Sequence, residues 1–187
     1  MRMLLVALSF FSAGAFAQVS TYKVDPSHTA LVFRVNHMGF SMVYGMFSGV
    51  DGKFVIDEKS PDKSTFELTA KVENLTTLDK KRDDHLKGPD FFNMKQYPTI
   101  TMKSKKVKKS GEAYDITADL TMHGVTKPIT FSFKQMKVGK DPWGNTRFGG
   151  ETVLNLRRAD YNMTYMNKPG EVGDDVEIMV SVEGVKQ

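Results

Sequence analysis

The 187-residue chain contains no cysteine. That absence excludes disulfide scaffolds, thiolate metal sites, cysteine nucleophiles and a lipidated N-terminal cysteine. Long apolar runs are missing too. The stretch from Met3 to Phe11 is too short for a membrane-spanning helix, which needs ~20 apolar residues, and no later segment approaches that length. None of the four histidines, His28, His37, His85 and His123, belongs to a His-x-His pair, the spacing that puts two imidazoles on one face of a strand. No metal site is therefore expected. Ser41 lies in Gly39-Phe40-Ser41-Met42-Val43, which lacks the second glycine of a nucleophile elbow. There is no glycine-rich phosphate loop, since Gly149-Gly150 sits inside a strand-like segment and reads as a bend or bulge. No internal repeat, linker or second domain boundary appears. The formal charge of +4 is mild, and the basic stretch carries few aromatics, a poor fit for nucleic acid.

What is present begins with an export signal. Arg2 supplies a positive n-region, the apolar run follows, and Ala15-Phe16-Ala17 fits an A-x-A cleavage site. Residues 1–17 are expected to be removed, leaving one domain over residues 18–187 with Gln18 at its start.

Period-two alternation dominates that domain. Leu31, Phe33 and Val35 alternate with Val32, Arg34 and Asn36; Phe66, Leu68 and Ala70 with Glu67, Thr69 and Lys71. The same pattern recurs at Ile100–Lys103, Tyr114–Leu120, Ile129–Lys134 and Val176–Glu183. Such alternation marks strands with one apolar and one polar face. Turn residues separate them: Met38-Gly39, Asp51-Gly52, Ser60-Pro61-Asp62, Ser110-Gly111 and His123-Gly124. About eight short strands joined by short connections predict an all-β domain, either a sandwich or a closed antiparallel barrel. Closure has the advantage of removing exposed strand edges.

One segment breaks the period. Thr77 to Met94 favours helix from about Asp79 to Lys87, stopped by Gly88-Pro89, with a second helical turn expected at Asp90–Asn93. Leu78, Leu86, Phe91 and Phe92 give it an apolar side suited to capping a barrel end. Within it, Asp83, Asp84 and His85 could act as acid and base. They could instead form a solvated face in which Lys80, Asp84 and Lys87 pair. The reading preferred here is structural: Arg82 or His85 bonds loop carbonyls and holds the cap in place.

Two other features have a functional and a bland reading. Lys95, Lys103, Lys105, Lys106, Lys108 and Lys109 form either an anion-facing patch or a strand edge protected by its lysines. Met38, Met42 and Met46 recur at spacing four among Phe40, Tyr44 and Phe47. They suit a soft apolar ligand wall, thioether coordination of copper(I), or ordinary packing around a turn.

The chain resembles the YceI-like family over nearly all of its mature length. The resemblance rests on Tyr22-Lys23-Val24-Asp25, Ser27-His28, Phe33-Arg34-Val35-Asn36-His37-Met38-Gly39, Arg82-Asp83-Asp84-His85-Leu86, Asp90-Phe91-Phe92, Ile116 through Pro128, Asp141-Pro142-Trp143-Gly144 and Val180 through Val185. It implies a single lipocalin-like antiparallel barrel of about eight strands with a minor helical segment, a periplasmic location, and a long apolar tunnel for an isoprenoid or fatty-chain lipid. It implies no catalytic residue. The region Tyr161–Asp175 matches the family loosely, and at a tunnel rim it would alter ligand preference.

Given such a tunnel, alternation assigns Leu31, Phe33, Val35, Phe54, Phe66, Leu68, Ile100, Met102, Phe131 and Phe133 to its wall. Arg34, His37, Arg82 and His85 become candidates for headgroup contacts at the mouth, although the parity of Arg34 sets it opposite Phe33. The expected function is a non-catalytic lipid carrier that requires no cofactor. Its bound lipid would be a polyisoprenoid quinone or polyprenyl phosphate, its membrane contact transient, and a homodimer could complete the tunnel. The alternatives are a filled barrel acting as a structural or stress-related interaction module, and an enzyme acting on an isoprenoid lipid. The sequence leaves open which end of the barrel is the entrance.

Overall fold

A computed structural model describes residues 19–187. The expected signal peptide, residues 1–17, and Gln18 lie outside the described residues. The described residues form eleven strands and one α-helix: β1 (Val19–Val24), β2 (Ala30–His37), β3 (Ser41–Phe47), β4 (Asp51–Asp57), β5 (Thr65–Lys71), β6 (Leu75–Thr76), α1 (Lys80–Leu86), β7 (Thr99–Ser110), β8 (Ala113–Met122), β9 (Val125–Lys140), β10 (Thr146–Arg157) and β11 (Val172–Lys186).

Eight of these strands close into an antiparallel ring in the order β1-β4-β5-β7-β8-β9-β10-β11, with β11 returning to β1. Closure depends on the length of β11, which forks between two partners. Its end, Gly184–Lys186, pairs with β1, whereas Val176–Ser181 pair with β2. The wall then continues through β3 to the two-residue β6. The barrel is thus longer than one ring of strands, with β2, β3 and β6 forming the wall where β1 does not reach. The alternation read from sequence sets the inward face throughout, as in β8, where Tyr114, Ile116, Ala118, Leu120 and Met122 are all buried.

Local chemistry sets the details. The register between β9 and β10 shifts at Gly149-Gly150, the bulge expected there. At Gly150 a Cβ would meet Phe133 Cζ at 2.5 Å, so only glycine lets that ring lie across β10. Helix α1 starts as expected, with the Asp79 carboxylate accepting from the Arg82 N–H as N-cap. The second helical turn does not form. Residues 87–92 make turns instead, in which Phe92 N–H donates to the Leu86 carbonyl and Asn93 N–H to the Gly88 carbonyl.

In the lysine-rich stretch β7 pairs with β8 through to Ser110 but with β5 only as far as Lys103, so Lys105, Lys106, Lys108 and Lys109 lie where β7 has a strand partner on one side alone, as the strand-edge reading expects. Lys103 pairs with Glu67 and Lys105 with Asp119 on the outer surface. No helix among the described residues is long and apolar enough to cross a membrane.

Candidate ligand pocket

The barrel is filled at one end and hollow at the other. Tyr22, Tyr114 and Phe148 are each at most 4% exposed, and their rings pack face-on or edge-on against those of Phe54, Phe66 and Phe133. Tyr22 lies 5.1 Å from Phe54, Phe148 5.2 Å from Phe54, and Tyr114 5.9 Å from Phe66. Packing at these separations is favourable beyond the area buried. Gly184 makes room for the plug, since a Cβ there would meet the Phe54 ring at 2.6 Å.

Above this aromatic floor lies a cavity of about 640 Å³. Side chains such as Leu68, Met102, Ile129 and Phe131 point inward yet are only partly buried, because the cavity leaves surface uncovered. Such a volume is within the range of ~300–1,000 Å³ common for small-molecule sites. Its wall is almost wholly hydrocarbon. The one inward hydroxyl deep in it, Thr152, donates to the Ser132 carbonyl at 2.8 Å and leaves no unpaired polar group there.

All ten residues assigned to a tunnel wall by alternation line this cavity. Phe54, Phe66 and Phe133 form its floor, so the space is a blind pocket and not a tunnel open at both ends. Leu120, Ile178 and Val180, which the alternation in β8 and β11 turns to the apolar face, also line it, as do Val43, Phe47, Leu154 and Leu156, to which the sequence assigns no such place.

Charged groups gather at the opposite end. His37, Asp79, Lys81, Arg82 and His85 border the cavity there, and all are solvent-exposed. That is where the pocket opens. Three of the four mouth candidates therefore stand at the mouth. Arg34 does not, and this corrects its assignment. It lies on the outer face, where Nη2 donates to Glu177 Oε2 at 3.0 Å, while Nε sits 2.8 Å from Oε1 off the hydrogen-bonding direction. Its parity, opposite Phe33, is the reason.

The mouth is roofed by α1 and the turns after it. Arg82 donates from Nε to the Thr77 hydroxyl and from Nη2 to the Thr77 carbonyl, both at 2.8 Å. Asp83 accepts from the Thr77 N–H at 2.7 Å and from its hydroxyl. Burial opposes ionisation of Asp83, but these hydrogen bonds outweigh it and hold its pKa below the usual carboxylate value. His85 Nε2 lies 2.8 Å from Asp90 Oδ2, and its ring packs edge-on against Phe91 and Tyr165, each at 5.2 Å. Asp84 pairs with Lys80 at 2.7 Å. Asp83 and His85 are thus bonded within the roof, whereas Asp84 and Lys80 pair on the solvated face of α1.

The rim is continued by the loop after β10, the region that matches the family loosely, which meets α1 where Tyr165 packs on His85. Met163, Tyr165 and Met166 from it line the pocket. The loop is organised by Arg158, which is 5% exposed. All five of its N–H groups are used, donating to the carbonyls of Gly173, Met163, Tyr165, Met166 and Val172 at 2.7–2.9 Å. Burial lowers its pKa. No local sequence signal marks this residue. His123 has a similar structural role, with Nδ1 2.8 Å from the Tyr161 carbonyl. Met38, Met42 and Met46 do not line the cavity and lie on the outer side of the wall and its hairpin turn.

Fold and site together define, over the described residues, an antiparallel β-barrel with an apolar pocket, closed by an aromatic plug at one end and roofed by a short helix at the other. The YceI-like domain matches residues 22–184, and the chain belongs to that family. It is 39% identical to Protein YceI of Escherichia coli O157:H7 over 193 residues, covering all of both chains. Among solved structures it resembles BcnA of Burkholderia cenocepacia, with a TM-score of 0.76 at 21% identity over 86% of this chain and 98% of that one. A polyisoprenoid binding domain from Saccharophagus degradans superimposes with a TM-score of 0.69 at 15% identity, over 89% of this chain and 98% of that domain.

Proposed function

We propose that this protein is a non-catalytic carrier for a long-chain lipid of the isoprenoid or acyl type, acting in the periplasm after removal of residues 1–17. The observation that carries the proposal is the distribution of polarity in the pocket. Its depth is lined by hydrocarbon and aromatic rings, while charged groups stand only at the mouth. A ligand that fits this pattern has a long apolar chain and one polar end. Each buried methylene contributes ~0.8 kcal/mol, so the chain and not the headgroup supplies most of the affinity. The polyisoprenoid-binding domain with the same fold supports an isoprenoid chain, and a quinone or polyprenyl phosphate meets the description. The hollow interior favours a carrier over a filled-barrel interaction module. No cofactor is needed for such a role.

Native mass spectrometry of protein isolated gently from the periplasm, with organic extraction, tests this reading. A co-purifying isoprenoid or acyl lipid near one per chain is expected. An empty protein that takes up neither added quinone nor added polyprenyl phosphate would overturn it.

A further inference from the structure

Two loops at the pocket mouth carry large apolar side chains in positions that folding alone disfavours. Leu78, immediately before α1, is 94% exposed and has φ +64°. A leucine adopts that left-handed backbone only at a cost, whereas Asn or Gly takes it readily. In the β2–β3 hairpin, Met38 has φ +57° ahead of Gly39, a turn position that Asn suits better, and Phe40 beside it is 85% exposed.

These loops flank a seam. β3 pairs with β6 only through Met46 and Phe47. From Ser41 to Gly45 that edge of β3 has no strand partner, and at Gly45 the segment leading into α1 lies alongside it. Gly45 lies against the side chain of Thr77, the residue before Leu78. Tyr44 and Met42 face outward on β3, 52% and 38% exposed. Phe40 lies four residues further along, about 13 Å at strand spacing. Val43 and His37 on the same two strands line the pocket, as do Lys81 and Arg82 on α1. Lys81 makes no ion pair among the described residues.

We propose that this corner of the barrel, with Phe40 and Leu78 as its anchors and Lys81 beside them, docks on the surface of a phospholipid bilayer and sets the pocket mouth against it. The proposal rests on the carrier reading. Protruding side chains at loop tips, an amphipathic tyrosine and an adjacent lysine form the pattern of an interfacial anchor. A second copy of the chain would instead need a flat complementary face of ~800 Å² per partner, which two loop tips do not offer. Continuity with the pocket mouth gives the contact a purpose: an apolar chain passing between bilayer and pocket never crosses open water.

Co-sedimentation of the mature protein with vesicles of phosphatidylethanolamine and phosphatidylglycerol at 3:1 tests the proposal. The comparison is with the double variant Phe40→Ser, Leu78→Asn. Neither residue lines the pocket. The variant is expected to lose at least tenfold in vesicle partitioning, while still taking up detergent-dispersed quinone at one per chain. Leu78→Asn alone should not lower thermal stability, since it relieves the backbone. The single tryptophan, Trp143, is 79% exposed in the β9–β10 loop at the plugged end, and its emission should stay unchanged on docking. Equal partitioning of wild type and variant, a blue shift of Trp143, or a dimer in light scattering that the variant dissociates without change in vesicle binding would each overturn the proposal. Vesicle binding lost in the variant, with no quinone uptake by either protein, would uphold the docking surface and sink the carrier reading instead.

Discussion

Arg82 grips Thr77 twice, through hydroxyl and carbonyl, each at 2.8 Å. The same hydroxyl donates to Asp83, so one side chain ties the neighbouring residues Arg82 and Asp83 of α1 to the chain just after β6. Thr77 is 6% exposed. Replacing it by valine keeps the shape and removes the shared oxygen. Thr77→Val is expected to cost about 1–3 kcal/mol and to speed amide exchange in residues 80–86 well beyond that in β8. Equal protection in the two segments would show that the roof is held by something else.

Filling the hollow half should separate folding from binding. Leu68 lines the pocket well away from the charged mouth. Leu68→Trp places a large ring in empty space, so the barrel should remain folded while lipid stoichiometry falls from one per chain towards zero. Native mass spectrometry with added quinone reads the result, and undiminished uptake would mean that the ligand lies elsewhere.

The rim loop depends on Arg158. Lysine has three donors and no planar fork, so it cannot serve five carbonyls. Arg158→Lys is expected to lower stability by about 2–4 kcal/mol, measured by urea unfolding. It should also loosen residues 159–171 in amide exchange. A change within 0.5 kcal/mol of wild type would count against this role.

Acid should loosen the plugged end. Arg147 bonds Asp141 at 2.8 Å, Asp25 at 2.7 Å and Glu183 at 3.0 Å, tying the β9–β10 loop and the end of β1 to β11. Its guanidinium, chief among several hydrogen-bond donors, lowers the Asp141 pKa to about 2. Hydrogen bonds from Ser27, Arg147 and His28 hold Asp25 lower still. Because both folded values lie below the unfolded ones, the stabilisation is complete above about pH 4. It disappears as the carboxylates protonate towards pH 2 and below. Arg147→Met should lower the melting temperature at pH 7 and make less difference at pH 2. Parallel melting curves across that range would refute the assignment.

Much of this was legible in the chain. Alternation gave the face of Phe33, Leu68, Ile100 and Phe131, since strand parity is a local property of the backbone. Asp79 and Gly88 bounded the one helix because capping is local as well. Arg34 shows how strict parity is: the same alternation that turns Phe33 inward turns Arg34 out to Glu177. Arg158 shows the limit. Its partners lie 5–15 residues ahead, in carbonyls that any sequence possesses, so nothing in composition marks it.

By itself the sequence determined that this is an all-β chain without thiol chemistry, which residues share its apolar face, and that a short helix interrupts the strands between β6 and β7. Only the tertiary structure decided that the interior is half filled and half hollow, and that the pocket opens beneath α1. Parity tells which way a side chain points. It does not say how far away the opposite wall stands, and that distance follows from how eight strands stagger and close. At one end Tyr22, Phe54 and Phe148 meet ring to ring. At the other, Leu31, Ile129 and Ile178 are equally apolar and equally inward, yet border the cavity.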